Sequence, residues 1–146
     1  MTTRIFPTAQ DAENAFYEAL ERCDLDGMMA VWAEDEEIVC VHPEGARLTG
    51  QDQVRESWAK LFAAGPRARL RIEQQVAISG MMLAVHSVFE TFSIQGQKAE
   101  AQPLPIVATN VYLRTAAGWR MIVHHASPAP AQPQAAPRDA PPKTLH

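Results

Sequence analysis

The stretch "PIVATNVYLRTAAGWRMIVHHAS", residues 105–127, decides the architecture. Its two halves, 105–115 and 119–127, read as strands, and Ala116, Ala117 and Gly118 between them make a connection of hairpin length. A second pair precedes it. "ARLRIEQQVAI" (68–78) alternates Leu70 and Ile72 with Arg69, Arg71 and Glu73, and Gly80 breaks the run before "MMLAVHSVFETFSI" (81–94). Four long strands in succession, each a short connection from the next, are expected to pair as antiparallel neighbours.

Upstream of Pro66 the period is helical. Thr8 with Asp11 forms a capping-box start, and Ala12, Ala15, Phe16, Ala19, Leu20 and Cys23 follow at helical spacing. Asp24 or Asp26 caps a second, short helix carrying Leu25, Met28, Met29 and Trp32, closed by the acidic run 34–37. A strand, "EIVCV", comes next. The third helix starts at Thr49 and Asp52, carries Val54, Trp58, Leu61 and Phe62 as its stripe, and ends at Gly65 and Pro66. Helices at one end of the chain and antiparallel strands at the other predict an α+β domain with the helices laid on one face of a curved sheet.

The chain's 146 residues suit one domain, and its formal net charge of -4 leaves no basic face for nucleic acid. The last twenty residues, 127–146, are dominated by proline and alanine and cannot bury enough apolar surface to offset their ordering entropy. The expected division is therefore a domain over 1–126 and an extended tail over 127–146. Cys23 and Cys40 fall on segments that read as buried, which suits free thiols in a reducing compartment. With neither a signal-peptide stretch nor a membrane-spanning apolar run, a cytoplasmic location without membrane contact is expected.

Three stretches, "AFYEALERCDLDGMMAVWAED" (15–35), "VHPEG" followed by "LTGQDQVRESWAKLF" (41–62), and "TNVYLRTAAGWRMIVHHASP" (109–128), resemble the NTF2-like superfamily, and within it the SnoaL-like and ketosteroid-isomerase-like proteins. The resemblance covers nearly all of residues 6–128. It implies an NTF2-like, cystatin-like cone: three N-terminal helices close a strongly curved antiparallel sheet around an apolar cavity, and two copies pair through the outer sheet face as a homodimer. It also implies where a site lies. The isomerases' general base sits just before a proline at the end of the first strand, where this chain has His42 before Pro43. Their acidic oxyanion donor corresponds to Asn110, eight residues before the hairpin glycine, and their first-helix tyrosine to Tyr17. Both acidic positions thus differ from the isomerase pattern.

The substituted set is chemically coherent. A neutral imidazole accepts a proton near neutral pH, and an amide N–H or phenol O–H holds a carbonyl or enolate oxygen. The bland reading is that His42 satisfies a turn and Asn110 a wet corner of the cone. Trp32, Trp58 and Phe62 lie on apolar stripes that serve as core and pocket wall together. His124 and His125, adjacent in a strand, must face opposite ways. Parity with Trp119, Met121 and Val123 places His125 inside and His124 outside. His86 reads as a satisfied core histidine. Neither a metal-ligand spacing, nor a nucleophile elbow, nor a phosphate loop is legible, so no metal and no cofactor is expected.

These residues predict a small protein that binds an apolar, oxygen-bearing molecule in its cone and transfers a proton next to a carbonyl, as an isomerase or dehydratase does. A dehydratase variant pairs His42 with His125 as base and acid. The alternative is a non-catalytic assembly module, since "WRMIVHHAS" also resembles the ending of a kinase association domain.

Overall fold

A computed structural model describes residues 4–34, 37–65, 67–94 and 105–130. Residues 131–146 of the expected tail lie outside the described residues, as do Pro66 and residues 35 and 36 of the acidic run. Helix α1 spans Ala9–Arg22, α2 Leu25–Val31 and α3 Gly50–Ala64. The strands are β1 (Val39–Val41), β2 (Arg47–Thr49), β3 (Ala68–Ser79), β4 (Leu83–Ile94), β5 (Ile106–Thr115) and β6 (Gly118–Pro128).

The helix ends follow from local chemistry. Thr8 and Asp11 form a reciprocal capping box on α1, and the Asp24 carboxylate accepts from the Gly27 N–H at 3.0 Å at the start of α2. Cys23 is the left-handed C-cap of α1 at φ 54° and is only half-buried, whereas Cys40 is fully buried. Gly118 at φ +92° closes the β5–β6 turn, and a Cβ there would stand 2.8 Å from the Phe6 carbonyl oxygen.

The six strands form one sheet in the order β2-β1-β6-β5-β4-β3. All neighbours are antiparallel except β1 and β6, which run parallel with Cys40 opposite His124. Two features were not legible beforehand: the three-residue strand β2 and this parallel pair. Two register irregularities bend the sheet. One lies between Glu73 and Val76, with Gln74 at φ 52°; the other inserts Ile122 opposite the Val111–Tyr112 step.

The inner face and the helices enclose one apolar core around Phe16, Met28, Trp32, Ile38, Val54, Trp58 and Met121. Along β4 the buried residues Ala84, His86, Val88 and Glu90 alternate with partly buried Val85 and Phe89, which face outward. Val76 and Ile78 share that outer side, at 60% and 65% exposure. Val107 and Val111 of β5, out of phase with buried Ala108 and Asn110, extend the apolar outer face. The last strand continues past residue 126 to Pro128, and buried Ala129 donates its N–H to the Pro105 carbonyl at 2.8 Å.

Candidate functional site in the cone

Seven polar side chains point into this core. Helix α1 supplies Glu13 and Tyr17, β4 His86 and Glu90, β5 Asn110 and Tyr112, and β6 His124, all buried. Each is in phase with the apolar face of its element, at α-helical spacing on α1 and at every second residue on the strands. Burial of so many polar groups demands that they satisfy one another. Glu13 is the hub: Oε2 accepts from the Tyr112 hydroxyl at 2.7 Å, His86 Nδ1 at 2.9 Å and Asn110 Nδ2 at 3.3 Å. Its Oε1 accepts from the Gln75 amide, which lies within the β3 irregularity. Tyr17 donates to Glu90 Oε2 at 2.6 Å and accepts from Asn110 Nδ2 at 2.8 Å.

These bonds fix the orientation of Asn110. Both acceptors, Glu13 and Tyr17, lie on its nitrogen side, so Oδ1 faces His124 Nδ1 at 2.6 Å. His124 therefore carries its proton on Nδ1, and Nε2 bears the lone pair. Burial, and then the neighbouring charges of His42 and His125, lower the His124 pKa to about 3, so this imidazole is neutral. Burial pushes Glu90 up to about 7; the Tyr17 hydrogen bond opposes that rise and the Glu13 charge adds to it. Both buried phenols are held well above their ordinary range, Tyr17 and Tyr112 alike, and remain O–H donors.

His42 lies at the rim, half-buried at the end of β1. Ser57 of α3 donates to the Val54 carbonyl at 2.7 Å and receives His42 Nε2 at 3.0 Å. Nε2 is then the protonated nitrogen and Nδ1 the basic one. Burial lowers the His42 pKa as well. The Cys40 sulfur is 3.7 Å from the same Nε2, and burial raises that thiol to about 12, which leaves it protonated and no nucleophile. Trp58 joins the two imidazoles: its ring lies 4.6 Å from His42 and 6.0 Å from His124.

The structure thus brings Tyr17 and Asn110 together, and His42, Trp58 and Phe62 together, the last pair at 5.6 Å. Trp32 has Phe16 as its ring neighbour, at 6.4 Å. His125 is a correction: it is exposed, and His124 is the inward imidazole at 2% exposure. Trp119 and Met121 do share one side of the strand, but the extra residue Ile122 shifts the phase of the strand beyond it. Glu13, Glu90 and the inward His124 were missed. The first two carried a signal, since Glu13 lies three and four residues before Phe16 and Tyr17, and Glu90 shares the parity of His86 and Val88. A carboxylate in phase with an apolar stripe is a buried one.

A separate groove of about 270 Å³ runs past Thr8, Gln10, Ser79 and Trp119 to His86, touching the network from the far end of α1. Among the described residues no group of three metal-ligating side chains could hold an ion, and no helix is long and apolar enough to cross a membrane.

A family model described as a SnoaL-like domain matches residues 10–132. The chain belongs to the SnoaL-like domain family. Solved structures place this SnoaL-like chain in the NTF2-like superfamily with its cystatin-like fold. One, from Thiobacillus denitrificans, is provisionally described as a calcium/calmodulin-dependent protein kinase type II association domain. It is 43% identical, with a TM-score of 0.82, over 87% of this chain and 99% of that one. Another, from Streptomyces avermitilis, provisionally a dehydratase of the NTF2-like family, is 29% identical with a TM-score of 0.73, over 82% and 92% of the two chains. A third, from Parabacteroides distasonis, provisionally a ketosteroid isomerase, shares the fold at 18% identity with a TM-score of 0.67, over 84% and 88%. No curated protein matches the SnoaL-like chain.

Proposed function

We propose that this SnoaL-like protein binds an apolar, oxygen-bearing small molecule in its cone and transfers a proton beside a carbonyl, in an isomerase or dehydratase type of reaction. The observation that carries the reading is the pair of imidazoles, His42 and His124, flanking Trp58 with a basic nitrogen left on each. His42 Nδ1 takes a proton from the carbon next to the carbonyl, the C–H electron pair moves toward the carbonyl to form an enolate, and the proton returns to the same or a conjugated carbon. His124 takes the place that the dehydratase variant gave to His125. Asn110 and Tyr17 serve at one remove: their donors are engaged by Glu13, Tyr17 and Glu90, and they hold His124 in its tautomer. The Streptomyces avermitilis relative, provisionally a dehydratase, supports this class of chemistry.

The test needs no natural substrate. Cyclohexanone in D2O exchanges the protons beside its carbonyl for deuterium, which NMR follows directly. The wild-type protein should accelerate that exchange, and His42→Gln, folded by circular dichroism, should lose the acceleration by about 10²-fold or more. Equal rates with and without the protein would remove the proton-transfer reading.

A second reading is an assembly module. It is favoured by the 43% identity to the Thiobacillus denitrificans protein and by the apolar outer sheet face of Val76, Ile78, Val85 and Phe89. Pairing of two copies through that face makes a homodimer, which is compatible with the first reading. A ring of more copies, read by light scattering, would favour assembly as the main role.

A further inference from the structure

The indole N–H groups of Trp32 and Trp58 are both buried without a hydrogen-bond acceptor. An unmet buried donor is destabilising, so it calls for a reason. The two are not equivalent. The ring beside Trp32 is Phe16, at 6.4 Å. Trp58 is surrounded by Phe16 at 5.6 Å, Phe62 at 5.6 Å, His42 at 4.6 Å and His124 at 6.0 Å. A ring that carries an unmet donor therefore lies against two imidazoles that each keep a lone pair, with Phe16 and Phe62 as its other aromatic neighbours.

We propose that Trp58 Nε1–H receives the carbonyl oxygen of a neutral ligand, a ketone or ester, and so marks the end of the cone at which the reacting group sits. The proposal rests on the proton-transfer reading and deepens it by naming the ligand's chemistry and its anchor. The donors expected to hold that oxygen, Tyr17 O–H and Asn110 N–H, are both spent inside the protein at 2.6 to 3.3 Å. Charge selects the class. The rings around Trp58 include no permanent cation, and on both imidazoles the N–H is engaged by the protein while the other nitrogen keeps its lone pair. The Glu13 and Glu90 carboxyls stand behind Asn110 and Tyr17. A carboxylate ligand would meet lone pairs and like charge there, whereas an uncharged carbonyl needs only one donor and apolar walls.

The experiment follows the indole N–H signals of Trp32, Trp58 and Trp119 in the ¹⁵N-labelled full chain, with Trp58 assigned by its proton contacts to His42 and Phe62. Cyclohexanone should move the Trp58 signal downfield in a saturable manner and leave Trp32 and Trp119 in place, while cyclohexanecarboxylate at equal concentration should not. A Trp58 signal unmoved up to the solubility limit of the ketone overturns the proposal. So does an equal response to the carboxylate, or a shift common to all three indoles. His42→Gln separates this inference from the reading beneath it. If Trp58 still responds to the ketone while deuterium exchange is absent, the anchor stands without the catalysis; exchange without a Trp58 response leaves the catalysis and removes the anchor.

Discussion

His124 Nδ1 and Asn110 Oδ1 meet at 2.6 Å on the inner face of β5 and β6, and this bond couples the imidazole beside Trp58 to the carboxylate cluster behind it. Asn110→Asp exchanges the amide for a second acceptor. Tyr17 and Glu13 then lose their donor, and His124 gains a countercharge. The His124 titration, followed by its ring-proton NMR signals, should move up from about 3 toward the ordinary histidine range.

Two buried groups pull stability in opposite directions with pH. His124 has a folded pKa of about 3 against an ordinary 6.5, so between those values the unfolded chain binds a proton that the folded chain does not, and stability falls as pH drops. His42, lowered in the same sense, adds to this arm. Glu90 has a folded pKa of about 7 against 4.5, so its contribution is fully present below 4.5 and lost as pH rises to 7. From 4.5 to 6.5 the arms oppose. Urea unfolding of Glu90→Gln should show stability rising with pH more steeply than wild type across this window, by about 1 kcal/mol per pH unit.

Glu13 accepts from four side chains at once, those of Gln75, His86, Asn110 and Tyr112. Glu13→Ala strands these donors and opens a void in the core. The expected cost is about 3 to 5 kcal/mol of unfolding free energy by chemical denaturation, whereas Glu18→Ala, on the exposed side of the same helix, should stay within about 0.5 kcal/mol.

Gly118→Ala meets a rigid obstacle. Its φ of +92° is unfavourable for alanine, and the added Cβ would lie 2.8 Å from Phe6 O and 2.9 Å from Phe6 N. The Trp119 N–H to Phe6 carbonyl bond at 2.9 Å depends on the same approach. The variant should lose about 2 kcal/mol or more in thermal unfolding.

Ile78→Asp probes the outer face. Ile78 is 65% exposed on β3, opposite Val85 on β4. If two copies pair there, a buried charge on each side of the interface should halve the mass seen by light scattering while leaving the circular dichroism unchanged.

What the sequence displayed depended on how local its cause was. Thr8 with Asp11, and Asp24, mark helix starts because capping is settled within four residues, and the structure has both bonds. The hairpin around Ala116 and Ala117 was legible for the same reason. Strand β2 was not, because three residues read equally well as the approach to the Thr49 cap and pair only through contact with β1. His42 was singled out by family resemblance and Trp58 and Phe62 by their apolar helical stripe; that the three meet depends on how α3 packs against β1, which is not local. The inward histidine was misassigned because a bulge is a property of two strands together, and nothing in "WRMIVHHAS" by itself announces that Ile122 will be the extra residue.

That bulge gives the histidine doublet a further meaning. Were the bulge ironed out, with Ile122 paired opposite Val111, the strand beyond it would turn over, and His125 would face the interior opposite Ala108 and His124 the surface. Because the two residues are the same, either alignment presents an imidazole to the cone. The doublet thus keeps an imidazole on the inner face of β6 through a one-residue slip, which at most other positions of the sheet would exchange a buried side chain for one of different character.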